Sequence, residues 1–355
     1  MSLPTLDVWR ILDAAANRAG EGLRVIEEFA RFSLNDGHLS RILKESRHEL
    51  CAVLAVLPER SRLAARDTLG DVGTSIGTIA EYERGTPLDV VRASFKRVQE
   101  ALRTLEEYGK LVSQPNNAPP LSPRLEQLRY RIYTAEKAVL RMASGSNDLQ
   151  GRQLYLLVTA TACASGFETT VANALASGVR IFQLREKSLQ DRDLVARARI
   201  LRALTAEAGA LLIINDRPDI AVLANADGVH VGQDELSVRD ARQIVGPNRL
   251  VGVSTHSIEQ ARQAVLDGAD YLGVGPTFPS GTKSFDQFAG LTFIRQVASE
   301  ISLPWFAIGG IDESNLESVL AAGATRVAVS GVICRATDAA ATTASLLRRL
   351  GQSGE

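Results

Sequence analysis

"IINDRPDIAVLANADGVHVGQDEL" (residues 213–236) decides the fold. With Leu211 and Leu212 ahead of it, it contains two short apolar runs, LLII (211–214) and GVHV (228–231). Each empties into a polar cluster that carries acid: Asn215 and Asp216 after the first, Gln233, Asp234 and Glu235 after the second. Short apolar runs rich in β-branched residues and bounded by turn formers read as buried strands. The segment between them starts at Pro218, a residue suited to the first turn of a helix. The predicted unit is strand, helix, strand, with charge gathered where each strand ends.

The same unit recurs downstream and upstream. Short β-rich runs fall at 154–160, 180–186, 211–216, 227–232, 250–256, 271–278, 305–310 and 326–331, with amphipathic stretches such as SIEQARQAVLDGA between them. Continuously apolar strands that alternate with helices imply a parallel sheet covered on both faces. Eight such units over residues 153–350 predict an α/β fold of the closed (β/α)8 TIM-barrel type, with short loops. A doubly wound open sheet is the alternative, but no GxGxxG follows the first strand.

Residues 1–145 follow a helical pattern, with apolar residues recurring at three and four, and predict an all-α N-terminal domain. An internal echo runs through it: NRAGEGLRVIEEFARF (17–32) and KRVQEALRTLEEYGKL (96–111). Glu21, Arg24 and Glu28, and likewise Glu100, Arg103 and Glu107, fall on one helical face. Leu23, Ile26 and Ala30 lie opposite and are expected to face a core. The charged face is either solvated and laced with helix-stabilising ion pairs, or part of a charged pocket framed by two facing helices. RDTLGDVGTSIGT (66–78) is either a plain connection or a glycine loop whose N–H groups cradle an anion; it is no Walker A loop. SQPNNAPPLSP (113–123) breaks the helices, and residues 146–152 read as the interdomain linker.

Composition excludes several classes. The 355 residues suit two domains, and 45% hydrophobic with 23% charged residues is ordinary for a soluble globular chain. A net charge of −1 offers no field for nucleic acid or membrane. Cys51, Cys163 and Cys334 form no CxxC pattern, which predicts reduced thiols, no metal cluster and a cytoplasmic location. MSLPTLDVWR carries an acid and no long apolar core, unlike a signal peptide, and no run reaches membrane-spanning length. A homo-oligomer is compatible with this composition, but no pattern specifies one.

Barrel active sites sit at the C-terminal ends of the strands, and polar residues cluster there. Gln183, Arg185, Glu186 and Lys187 end the second strand, Asn215 and Asp216 the third, and Gln233, Asp234 and Glu235 the fourth. Ser254 and His256 end the fifth; Ser280, Thr282 and Lys283 follow the sixth; Gly309 and Gly310 end the seventh, and Ser330 and Gly331 the eighth. Arg185, Lys187 and Lys283 suit phosphate oxygens. Asp216 with an acid after the fourth strand offers hard oxygen ligands for Mg²⁺ shared with a polyphosphate. The late glycines match a recurrent barrel phosphate site. The rim therefore suggests one diphosphate with metal and one simple phosphate. Blander roles stand beside these. Asp216 could cap the helix at Pro218, Gly309 and Gly310 could form only a tight turn, and His230 reads as a hydrogen-bonded core histidine. His256 is open between the two.

These residues carry a resemblance. QLREK, IIND, DGVHVGQDEL, GVSTHS, GPTFPSGTK, AIGGI and VAVSGVI, in this order over about residues 153–350, resemble the thiamine-phosphate synthase (thiamine-phosphate pyrophosphorylase) family. The resemblance implies a transferase. It joins 4-amino-2-methyl-5-(diphosphooxymethyl)pyrimidine to 4-methyl-5-(2-phosphooxyethyl)thiazole and releases diphosphate through a dissociative, Mg²⁺-assisted substitution. It implies that the stretch Gln183, Leu184, Arg185, Glu186 and Lys187 binds the pyrimidine diphosphate with Asn215, Ser254 and Lys283. Arg185, Lys187, Ser254 and Lys283 would act in catalysis. Ser280, Gly281, Thr282, Gly310, Ser330 and Gly331 would hold the thiazole phosphate. Asp216 and Glu235 would bind Mg²⁺. The family usually shows Asp at the second metal position, so Asp234 stays an alternative, although the register favours Glu235.

The N-terminal motifs, with RDTLGDVGT, resemble a helical domain regarded as a monofunctional hydroxymethylpyrimidine-phosphate kinase, which implies ATP as a further substrate. Arg18, Arg24, Arg66, Arg97 and Arg103 are its candidate phosphate contacts. Two alternatives remain open from sequence: a thiazole tautomerase-like barrel that needs no metal pair, and an N-terminal interaction module without catalysis.

Overall fold

A computed structural model describes residues 5–76, 83–112, 120–144, 147–279 and 288–352. The chain divides into two compact units, Met1–Ser144 and Gly145–Glu355.

The first unit is helical, as its periodicity predicts. It comprises α1 (Leu6–Phe32), α2 (Gly37–Leu54), α3 (Glu59–Ala65), α4 (Pro87–Tyr108) and α5 (Leu121–Ala143). Local signals set the starts. Asp36 accepts the Leu39 N–H at the head of α2, and Thr86 and Asp89 form a reciprocal capping box around Pro87 at the head of α4. Leu23, Ile26 and Ala30 are fully buried, as expected, with Leu43, Phe95, Leu102 and Leu128. Helices α1 and α4 pack closely because Gly22 has no side chain: a Cβ there would lie 2.6 Å from Val98 Cγ2 and 3.3 Å from the Ser94 carbonyl oxygen.

The second unit is the predicted closed barrel. Strands β1 (Leu154–Val158), β2 (Ile181–Leu184), β3 (Leu211–Asn215), β4 (Gly228–Val231), β5 (Leu250–Thr255), β6 (Tyr271–Val274), β7 (Trp305–Ile308) and β8 (Val327–Val329) pair in sequence order, and β8 closes on β1. All pairs are parallel. Around the ring run α6 (Phe167–Ala176), α7 (Asp191–Glu207), α8 (Pro218–Leu223), α9 (Val238–Val245), α10 (Ile258–Asp267), α11 (Gly290–Glu300), α12 (Leu316–Ala321), α13 (Gly331–Cys334) and α14 (Ala339–Gln352). Strands cover fewer residues than the apolar runs suggested, since each run includes the rim residues beyond the last ladder pairing.

The interior is filled by one contiguous cluster that includes Tyr155, Leu157, Ile181, Ile213, Leu250, Tyr271, Phe306 and Ala328. Side chains on a strand alternate, so the residue two further on shares the same face. Ile181 is followed by Gln183, Ile213 by Asn215, and Ala328 by Ser330. The apolar layer thus passes directly into the polar rim. Leu149, placed in the expected linker, is buried in the same cluster, so the turn Asn147–Leu149 belongs to the barrel unit.

The close approach at Gly22 yields a prediction. Alanine favours a helix interior over glycine by about 1 kcal/mol, whereas overpacking costs about 1–3 kcal/mol. Gly22→Ala should therefore lower the thermal midpoint of the helical unit, followed by circular dichroism; a raised midpoint would show that the contact yields without cost.

Candidate active site

A cavity of about 420 Å³ opens at the C-terminal ends of the strands. Gln183, Arg185, Lys187, Asn215, Asp216, Glu235, Ser254, Gly310, Ser330 and Gly331 all line it, so most of the expected rim residues do converge. Ser280, Gly281, Thr282 and Lys283 lie outside the described residues. Leu184 and Glu186 are not among the lining residues. The reason is parity: they alternate with Gln183, Arg185 and Lys187 and face outward. Leu184 is buried on the far face of β2. The Glu186 carboxylate accepts the Ala160 N–H at 2.8 Å and an Arg197 N–H at 2.9 Å, with its side chain only 2% exposed. Glu186 thus anchors α7 to the loop after β1.

The acids sort equally clearly. Asp216 adopts φ +61°, a left-handed conformation that aspartate tolerates better than most residues, and its N–H donates to the His230 carbonyl at 2.8 Å. The helix α8 has no side-chain cap, so Asp216 does not serve as one. Asn215 Nδ2 donates to its carboxylate at 2.5 Å. Burial, then the charge of Glu235, pushes the Asp216 carboxyl above the ordinary range, against the pull of Lys187, Asn215 and Arg185. Glu235 Oε2 lies against Gly232, where a Cβ would stand only 2.2 Å away. Asp234 does not line the cavity. Of the two candidates after β4, geometry favours Glu235.

On the opposite side, Gly309 and Gly310 have φ +103° and +63°. A Cβ on Gly310 would come 2.4 Å from the Pro279 carbonyl oxygen, and one on Gly309 would meet Pro276 at 2.8 Å. The loop after β6 rests on bare backbone, which only glycine allows. Arg335 and Asp312 also line the cavity and were not foreseen. Arg335 lies four residues after Gly331, and its guanidinium packs within 3.6 Å of where a Gly331 Cβ would be. The i,i+4 spacing from the predicted phosphate glycine was the signal available.

Below the rim, five side chains from five strands form a hydrogen-bonded chain. Gln183 Nε2 donates to Tyr155 Oη at 2.7 Å, and Tyr155 Oη lies 3.0 Å from Tyr271 Oη. Tyr271 Oη lies 3.2 Å from His230 Nδ1, and His230 Nε2 lies 2.9 Å from Ser254 Oγ. His230 is the hydrogen-bonded core histidine expected, and it also reaches the cavity. The two tyrosines were not foreseen, because an inward Tyr in an apolar run looks like any core aromatic. Two glycines make room: a Cβ on Gly252 would lie 2.1 Å from Tyr271 Cζ, and one on Gly273 would lie 3.3 Å from His230 Cε1. His256 Nδ1 lies 2.5 Å from the Gly275 carbonyl oxygen and lines the cavity.

In the helical unit the charged face resolves as solvated. Arg24 bonds Glu28 at 2.9 Å and Arg103 pairs with Glu107 at 2.8 Å, both at i,i+4. Arg66 is held by both oxygens of buried Asp13, at 2.7 and 3.1 Å. Gly70 and Gly73 donate their N–H groups to Asp67 and Asp71 of their own loop, so those donors face no preformed anion cradle. Arg18 and Arg97 are exposed. Glu27, bonded by Arg47 at 2.9 Å, and Glu106, bonded by Arg129 at 3.1 Å, are buried like Asp13.

Burial pushes the His230 imidazole down from 6.5 to about 4. A histidine held neutral contributes stability that is fully present above about pH 6.5 and is lost as pH falls toward 4, because the unfolded chain protonates first. That difference corresponds to about 3 kcal/mol. Urea unfolding at pH 7, 5.5 and 4 should show the wild type losing about that much more than His230→Gln; parallel losses would refute it.

Comparison with known proteins agrees with this geometry. Residues 154–333 match the family described as thiamine monophosphate synthase, and residues 10–138 match the ThiD2 family. A thiamine-phosphate synthase of Rhodopirellula baltica is 46% identical over 92% of this chain and 88% of its own length. One of Gloeobacter violaceus is 46% identical over 97% of both. Among solved structures, thiamine phosphate pyrophosphorylase from Pyrococcus furiosus superposes with a TM-score of 0.53 at 32% identity, over 57% of this chain and 96% of that one. With an eight-stranded barrel, a polar rim in the expected register and relatives alike over nearly their whole length, the chain belongs to the thiamine-phosphate synthase family of transferases.

Proposed function

We propose that the barrel joins 4-amino-2-methyl-5-(diphosphooxymethyl)pyrimidine to 4-methyl-5-(2-phosphooxyethyl)thiazole, giving thiamine phosphate and diphosphate. One observation carries this reading: acids and cations of the rim converge on a single cavity, with Asp216 and Glu235 beside Arg185 and Lys187. The tautomerase-like alternative is not favoured, since relatives covering nearly the whole chain bear the synthase name.

Arg185 and Lys187 supply N–H donors and positive charge for diphosphate oxygens, which lowers the cost of charge developing on the leaving group. Gln183 and Ser254 are poised to hold the pyrimidine ring, and Gly310, Ser330, Gly331 and Arg335 to take the thiazole phosphate. The C–O bond to diphosphate breaks first, its electron pair leaving with the diphosphate, and the thiazole nitrogen then captures the pyrimidine methyl cation. No protein nucleophile is required, so the chain contributes placement and electrostatics.

The acids suit Mg²⁺. The charge of Glu235 disfavours that of Asp216, and a hard divalent cation held by the two carboxylates would relieve that repulsion. Mg²⁺ bound there would neutralise charge on the diphosphate. Asp216→Ala should raise the Mg²⁺ concentration for half-maximal rate by at least about tenfold, since even changes around metal ligands cost that much. Asp234→Ala should stay close to wild type. A larger effect from Asp234→Ala would move the metal site.

For the helical unit, the match to the ThiD2 family supports phosphorylation of hydroxymethylpyrimidine phosphate by ATP, which would supply the barrel's diphosphate. The full chain given hydroxymethylpyrimidine phosphate, ATP, Mg²⁺ and thiazole phosphate should then release ADP and form thiamine phosphate. Product from the ready-made diphosphate but none from the monophosphate with ATP would leave this unit as an interaction module. The free thiols of Cys51, Cys163 and Cys334 support a reducing compartment such as the cytoplasm.

A further inference from the structure

The buried chain beneath the rim has a direction. Tyr155 and Tyr271 are fully enclosed, and His230 nearly so. An enclosed O–H or N–H must find an acceptor. Gln183 donates its amide N–H to Tyr155 Oη. The Tyr155 proton then has the Tyr271 oxygen as its acceptor, and the Tyr271 proton has His230 Nδ1. His230 is thereby the neutral Nε2–H tautomer and donates to Ser254 Oγ. The Ser254 proton is left for the cavity, as is the Gln183 carbonyl oxygen, and both residues line it.

We infer that Tyr155, Tyr271 and His230 are positioning residues that fix the hydrogen-bond polarity of the pyrimidine pocket, with an acceptor at Gln183 and a donor at Ser254. This rests on the reading of the barrel as a pyrimidine-diphosphate transferase and adds what sets its choice of ring. A 4-aminopyrimidine offers an amine N–H beside a ring nitrogen lone pair, which matches an acceptor and a donor. Its 4-oxo counterpart offers a carbonyl oxygen beside a ring N–H, the reverse pattern. Neither tyrosine needs to touch substrate. Each passes polarity from one end of the chain to the other, because each hydroxyl has one proton and spends it on the next oxygen or nitrogen. The glycines at 252 and 273 keep the Tyr271 ring and the imidazole in line.

The direct test is nitrogen-15 NMR of histidine-labelled full-length protein, with His230→Gln used to assign the signal. The wild type should show His230 as the Nε2–H tautomer without any substrate; an Nδ1–H tautomer overturns the inference. Removing one hydroxyl with Tyr271→Phe should mix the tautomers. In kinetics, Tyr155→Phe and Tyr271→Phe should each cut the preference for the 4-amino over the 4-oxo diphosphate by about tenfold, the worth of one hydrogen bond. The loss should appear in KM for the pyrimidine, while KM for the thiazole phosphate stays put. Folded variants with unchanged preference and an unchanged tautomer overturn it. A wild type that makes no thiamine phosphate would refute the transferase reading, and leaves the tautomer result to be judged by itself.

Discussion

A closed ring of eight parallel strands must fill its own interior, and it draws on every second residue of each strand to do so. That constraint orders the rest of the barrel unit. It sends Ile181, Ile213 and Ala328 into an apolar layer and, one period later, Gln183, Asn215 and Ser330 to the rim. It also forbids an unpaired polar group inside. The phenols of Tyr155 and Tyr271 satisfy this only by bonding to each other and onward to Gln183 and His230. The rings fit because Gly252 and Gly273 leave holes on the facing strands. A site that looks like loop chemistry is thus held from below by core packing.

The rim balances charge. Asp216 is half-buried beside Glu235, which raises its carboxyl, while Lys187 and Arg185 pull the other way. Such a pair is uncomfortable by itself and suited to a shared cation. Across the cavity the rim has no side chain at Gly309 and Gly310. Bare backbone at Gly309 and Gly310 lets the loop after β6 come close, and Arg335 brings a charge to the edge of α13. The cavity thus has a side rich in charged side chains and a side where backbone is bare.

The helical unit shows where pattern reading stops. The i,i+4 pairs Arg24 with Glu28 and Arg103 with Glu107 follow from spacing along one helix, and the structure has them. Asp13, Glu27 and Glu106 are buried instead, and nothing in their spacing separates them from their exposed neighbours. Their partners Arg66, Arg47 and Arg129 come from other segments of the chain, brought close only by packing.

The sequence by itself determined the two units, the eight strands in order and the polar residues at their ends, because these follow from periods of two and 3.6 along the chain. It also placed Asp216 and Glu235 at adjacent strand ends. Tertiary structure alone decided the rest. It turned Glu186 outward onto Arg197, brought Arg335 to the cavity, set Glu235 rather than Asp234 beside Asp216, and joined Tyr155 to Tyr271 across 116 positions of sequence. Those outcomes depend on which strands face one another once the ring closes, and no local period encodes a distance across the barrel.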